Sequence, residues 1–233
     1  MSGSLTFGSL SVMSSSSKEK KRILIVDDHT FVRKGLRDFI ENEPNLVVCG
    51  EAEDCATALA LCAKVSPDLV LVDLSLGKDS GLDLIKDIAE RFPETKMLVL
   101  SMQDEMLYAE RVFRAGANGY VCKDAPPAKL IDAFREVFNG GMYASDSVKQ
   151  KIMKNFRGRS VRYADPVDQL SNRELAVFER IGSGQNTSEI AEIMGLSVKT
   201  IETYRARIKM KLGIGHATEL VQRATQWAIN RNP

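Results

Sequence analysis

Apolar residues fall in short unbroken runs through the first half of the chain and at helical spacing through the second. The runs are Arg22–Val26, Leu46–Glu51, Leu69–Leu74, Lys96–Ser101 and Gly119–Val121. Runs this short and continuous predict strands buried on both faces, as in a parallel sheet. Between them Val32, Leu36, Phe39 and Ile40 repeat at helical spacing, as do Ala58, Leu59 and Leu61, then Leu82, Ile85 and Ile88. Glu105–Arg114 and Pro127–Asn139 predict two more helices, the second with proline near its first turn. Five strand–helix units in succession predict a parallel sheet wrapped by helices through right-handed crossovers. Gly140-Gly141 closes this unit.

After Leu170 the pattern is helical only, with helices predicted over Asn172–Ser183, Ser188–Met194, Val198–Leu212 and Ala217–Asn230. Ser171 with Glu174 reads as a capping box, and Ser197 as a cap. Gly195 and Gly213 sit where helices should stop. Residues 147–168 hold many Lys and Arg and end near Pro166, which reads as a helix tail plus a mobile basic linker. The predicted organisation is a disordered Ser-rich leader (1–21), an α/β domain (22–146), the linker (147–168) and an all-α domain (169–233).

Charge separates the two domains. Residues 1–147 carry 17 basic against 23 acidic side chains, a net of −6, whereas 148–233 carry 15 against 8, a net of +7. The acidic part suits a metal site, and the basic part a polyanion such as DNA. The four cysteines, Cys49, Cys55, Cys62 and Cys122, form no CxxC pair and lie far in sequence from His29 and His216. That spacing argues against zinc and against a disulfide framework, and reads as reduced thiols in a cytoplasmic protein. No apolar stretch is long enough to span a bilayer, so no membrane partner is expected.

The candidate chemistry sits at strand ends. One run ends in Asp27-Asp28 and another at Asp73. Ligands of open α/β sheets bind at the carboxyl ends of strands, so the three carboxylates should converge. Like charges that close need a cation, and Mg²⁺ suits a shell of carboxylates and water. Such a site prepares Asp73 to accept a phosphoryl group. Ser101 closes the fourth run and can hydrogen-bond a phosphoryl oxygen. Lys123 follows the fifth and can supply a point charge. Tyr120 precedes it on the same strand, where it could swing between outward and inward positions.

The segments ILIVDDHTFVRKGL, LVLVDLSLGKDSGLDLI, MLVLSM and GANGYVCKDAPPAKL resemble the receiver domain of bacterial response regulators, over Arg22–Gly141. The resemblance implies a flavodoxin-like five-stranded parallel sheet. It also implies Asp73 as phosphoacceptor and Asp27, Asp28, Asp73 and the Ser75 carbonyl as Mg²⁺ ligands. Ser101 and Lys123 would hold the phosphoryl group, with Tyr120 as the switch aromatic. Ser75 and Gln103 would flank the water that later removes the phosphate. Met102 stands where a small residue is common, which would crowd phosphoryl access.

The stretch LSNRELAVFERIGSGQNTSEIAEIMGLSVKTIETYRARIKMKLGI resembles the LuxR-type helix-turn-helix. Helical spacing buries Ile201, Ile208 and Leu212. That leaves Lys199, Glu202, Thr203, Ala206 and Arg207 for the major groove. Thr200, Arg205, Lys209 and Lys211 are expected at phosphates. Asn186, Thr187 and Ser188 are expected there too, because free N–H groups at a helix start favour anions. Leu220, Val221, Ala224 and Trp227 form an apolar stripe that either packs into this domain or joins DNA-bound subunits.

Together the halves resemble a NarL/FixJ-type response regulator. The resemblance implies phosphorylation of Asp73 by a partner histidine kinase, dimerisation on phosphorylation, and binding to double-stranded DNA to control transcription. It implies a regulator rather than an enzyme, with slow self-dephosphorylation at most. A phosphatase would need a second acid two residues after the nucleophile, where this chain has Ser75. Two routes of control are open: the receiver masks the recognition helix until phosphorylated, or phosphate acts only by promoting dimers.

Overall fold

The structure, a computed structural model, describes residues 20–77, 79–157 and 166–229; the predicted leader lies almost wholly outside these residues. The main sheet holds β1 (Lys21–Val26), β2 (Leu46–Ala52), β3 (Leu69–Val72), β6 (Lys96–Ser101) and β7 (Gly119–Cys122). All pairings are parallel, in the order β2-β1-β3-β6-β7. The chain reverses direction of winding between β1 and β3, so the switch point lies where their carboxyl ends adjoin.

Alternation along each strand sorts the core into two faces. Ile23, Ile25, Leu69, Leu71, Leu98 and Val121 pack with Ile40 of α1 (Thr30–Glu41) and with Leu130, Phe134 and Val137 of α5 (Pro127–Phe138). Leu24, Val26, Val70, Val72, Val99 and Tyr120 face α2 (Cys55–Val65), α3 (Gly81–Arg91) and α4 (Glu105–Arg114). This second cluster runs on into the all-α domain through Val148, Val167 and Leu170.

The third strand stops at Val72, two residues earlier than its apolar run predicts. Asp73 N still donates to Val26 O, but Leu74 O accepts from Gly81 N as the chain folds back. That return is a two-residue antiparallel ladder, β4 (Ser75–Leu76) with β5 (Asp79–Ser80), which the apolar pattern did not predict. Lys78 within it lies outside the described residues. A Cβ at Gly81 would overlap the Asp73 carbonyl and come within 2.7 Å of Leu74 Cα. Gly81→Ala is therefore expected to push the acceptor strand end aside and to cost about 1–3 kcal/mol. An unchanged midpoint in urea denaturation would contradict this.

Basic Lys149 and Lys151 belong to α6 (Asp146–Arg157), the expected helix tail, packed on α4, and residues 158–165 of the expected linker lie outside the described residues. Lys151 Nζ donates to Met106 O at 2.7 Å. A 3₁₀ turn (Pro166–Gln169) then leads into α7 (Asn172–Gly182), α8 (Thr187–Ile193), α9 (Val198–Leu212) and α10 (Ala217–Ile229). The capping box of Ser171 with Glu174 and the Ser197 cap both form. Gly195 and Gly213 adopt left-handed φ of 61° and 66°.

Candidate functional site

Because β1, β3 and β7 end together, the strand-end residues converge. Asp27 and Asp73 are 2% and 5% exposed. Lys123 Nζ donates to Asp27 Oδ2 and Asp73 Oδ2, each at 2.6 Å. Burial pushes the Asp73 carboxyl up against the opposing pull of Lys123. Burial would lower Lys123, but Asp73 and Asp27 outweigh it and hold the ammonium charged.

Asp27, Asp28, His29 and Asp73 bring four ligand atoms within 4.8 Å of one another. Asp28 Oδ1 is buried and accepts no hydrogen bond of acceptable geometry, although His29 Nδ1 stands 2.8 Å away. A buried carboxylate oxygen without a donor is costly, and a hard cation would relieve it. The donor set therefore fits Mg²⁺, the metal that receiver domains generally hold in an acidic pocket.

Of the rest of the predicted set, Ser75, Met102 and Gln103 line the same pocket, and Ser101 and Tyr120 are buried. Ser101, 1% exposed, accepts from Gln103 N at 3.3 Å. Gln103 Nε2 donates to Ser75 Oγ at 3.1 Å, and Ser75 N donates to Asp73 Oδ1 at 3.2 Å. Tyr120 is buried, and its hydroxyl donates to Gln103 O at 2.7 Å. Met102 is 69% exposed at the mouth of the pocket, turned outward. Sequence reasoning missed Arg33, which donates to Asp27 O at 2.6 Å and braces the strand end from α1. Its signal was a cation six residues after Asp27, one helical turn into α1. Asp79, Asp104 and Glu105 accept from Cys55 N, Met106 N and Ser145 N.

In the second domain Ile201, Ile208 and Leu212 are buried as their spacing predicts. Lys199, Glu202, Thr203, Ala206 and Arg207 are exposed on α9, and Thr200 and Lys209 partly so. Five of the residues expected at phosphates, Lys211, Arg205, Asn186, Thr187 and Ser188, have partners within the chain. Lys211 Nζ lies 2.6 Å from Glu174 Oε2, so its charge neutralises a buried carboxylate. Arg205 is mostly covered and lies 3.7 Å from Glu202. The N–H groups of Ser188 and Glu189 donate to Asn186 Oδ1, so the start of α8 is capped rather than free, and Thr187 Oγ1 donates to Glu202. In the apolar stripe of α10, Leu220 and Ala224 are buried and Trp227 packs edge-on to Phe178 at 5.4 Å, so most of it is core, with Val221 left exposed.

The two domains touch. Tyr108 OH donates to Glu179 Oε2 at 3.0 Å, and Arg111 donates to Leu170 O and Val167 O. Arg173 of α7 donates to the Gly77 and Asp79 carbonyls. Across a cleft of about 540 Å³, Tyr204 and Arg207 of α9 face Lys86, Glu110 and Arg114 of the α/β domain. No helix among the described residues is long and apolar enough to cross a membrane.

Comparison with known proteins follows this division. Residues 23–135 match the response regulator receiver domain, and 168–224 match the bacterial regulatory proteins of the luxR family. The oxygen regulatory protein NreC of Staphylococcus aureus is 36% identical over 208 residues, covering 87% of this chain and 96% of NreC. RcsB of Salmonella enterica serovar Typhimurium, solved bound to a promoter with the phosphomimetic BeF3⁻, is 28% identical with a TM-score of 0.55, over 88% of this chain and 97% of that one. A LuxR-family two-component response regulator from Aurantimonas is 33% identical with a TM-score of 0.55, over 60% of this chain and 99% of that one. With an acidic receiver pocket in front and a helix-turn-helix behind, the chain belongs to the NarL/FixJ family of response regulators, the DNA-binding transcription regulators of two-component systems.

Proposed function

We propose that this regulator is switched by phosphorylation of Asp73 from a partner histidine kinase in the cytoplasm. The observation that carries the reading is the Lys123 ammonium held between Asp73 and Asp27, with the Asp28 carboxylate in the same cluster. An Asp73 oxygen attacks phosphorus, the P–N bond to the donor imidazole breaks, and the imidazole keeps that electron pair and takes a proton. Asp27, Asp28, Asp73 and the Ser75 carbonyl would hold Mg²⁺, which supplies charge neutralisation on the phosphoryl oxygens. Lys123 pairs with the transferred group, and Ser101, now on Gln103 N, turns to donate to it. Tyr120, buried behind Ser101, transmits that change to α4. Water admitted past Ser75 and Gln103 reverses the modification slowly, so turnover is self-limited rather than enzymatic.

The receiver lies beside α9 across the cleft at Arg207, which favours masking over dimerisation alone as the brake. Released domains then pair on double-stranded DNA as a homodimer, with half-sites about one helical turn apart. RcsB, solved as dimers on DNA, supports this reading. Size-exclusion chromatography with light scattering is the test. Acetyl phosphate with Mg²⁺ is expected to convert monomer to dimer in the wild type and to leave Asp73→Ala monomeric. Identical masses for both proteins under all conditions would refute phosphate-controlled dimerisation.

A further inference from the structure

Arg173 belongs to α7 of the DNA-binding domain, yet its guanidinium donates to two main-chain carbonyls of the receiver, Gly77 and Asp79. Those carbonyls lie in the β4–β5 return that begins two residues after Asp73. The return is tied to the pocket from inside as well. Ser75 N donates to Asp73 Oδ1, Ser75 Oγ accepts from Gln103, and the Asp73–Leu74 peptide lies against Gly81. Shifts in this return are therefore felt at the acceptor carboxylate. A cavity of about 430 Å³ stands over the same place, lined by Asp28, Asp73 and Lys123 from the receiver and by Arg173, Arg180 and Glu192 from the DNA-binding domain. The second domain thus roofs the acceptor and grips its loop.

We propose that Arg173 is a positioning residue for the phosphoacceptor loop, supplied by the DNA-binding domain, and that its grip opposes phosphorylation of Asp73. The inference rests on the reading of Asp73 as phosphoacceptor. One guanidinium nitrogen, Nη2, donates to both carbonyls and so ties the two ends of the return together. If phosphorylation favours the undocked state, linkage requires that undocking favour phosphorylation by the same factor. Arg173 is the residue through which the loop itself takes part in that exchange. Arg111 makes chemically similar contacts across the same boundary, to Leu170 O and Val167 O, but from α4 and away from the acceptor loop. It serves as the matched control.

The experiment measures phosphorylation of the full chain by acetyl phosphate with Mg²⁺, from intact mass against time and at plateau. Arg173→Ala is expected to be phosphorylated at least about 5-fold faster or further than wild type, the lower end of common coupling factors. Arg173→Lys, which keeps one donor group, is expected to fall between them, and Arg111→Ala to gain less than Arg173→Ala. Thermal melts of each variant verify that the fold is retained. The proposal is overturned if Arg173→Ala matches wild type or is slower, if the Lys variant is as fast as the Ala variant, or if Arg111→Ala equals Arg173→Ala. Wild type that takes up no phosphoryl group, or Asp73→Ala that does, would instead remove the acceptor reading beneath it.

Discussion

Incubated with acetyl phosphate and Mg²⁺, the wild-type chain is expected to gain one phosphoryl group, and Asp73→Ala none. Lys123→Ala is expected to slow the reaction by about 10²-fold without abolishing it, the usual cost of one lost donor to developing phosphoryl charge. The two substitutions should move stability in opposite directions. Removing Lys123 strands Asp27 and Asp73 as buried charges, a change that typically costs about 3–5 kcal/mol. Removing Asp73 relieves one. Its folded pKa is raised, so its contribution to stability is present below the unfolded value and lost as pH rises through the folded one. Burial disfavours the carboxylate form, so Asp73→Ala should melt no lower than wild type without Mg²⁺. Intact mass and thermal melts measure both effects. A phosphorylated Asp73→Ala protein would sink the acceptor assignment.

DNA binding should weaken steeply with salt. The C-terminal domain is cationic, and α9 presents Lys199, Arg207 and Lys209 beside partly exposed Thr200. Each phosphate neutralised adds about −0.9 to the slope of log K against log salt, so a dimer making six or more such contacts loses about 10³-fold or more between 50 and 200 mM. Fluorescence anisotropy of a labelled duplex measures the slope, and a flat response would remove the groove reading. Lys211→Ala should reduce that slope little, because the Lys211 charge is already spent on Glu174. Glu202→Ala is expected to change base preference more than bulk affinity, since an acid reads cytosine amino groups but repels phosphates. Equal weakening on all sequences would contradict that role.

Much of the acceptor pocket was legible because strand chemistry is local. Apolar runs ending in Asp27-Asp28 and Asp73 already specify parallel strands whose carboxyl ends share one edge. A hydroxyl and an amine after two later runs then have nowhere else to point. Arg33 was less legible: a cation six residues after Asp27 is a weak signal, because its partner at the site is a main-chain carbonyl, which any residue possesses. Lys211, Asn186 and Ser188 have partners within their own domain that the sequence did not announce, because a cation or a cap reads the same in sequence whether its partner is solvent, DNA or its own domain.

Residue order alone therefore determined the two modules, their main helices, the five strands of the parallel sheet, and which side chains stand at its carboxyl edge, but not the β4–β5 return. These follow from periodicity and caps acting within a few residues of one another. Tertiary structure alone decided what crosses between modules: Tyr108 on Glu179, Arg111 on Leu170, Arg173 on the loop after Asp73. Each joins groups more than 50 residues apart, and most accept through the backbone, so only the packing of one domain on the other brings them into reach.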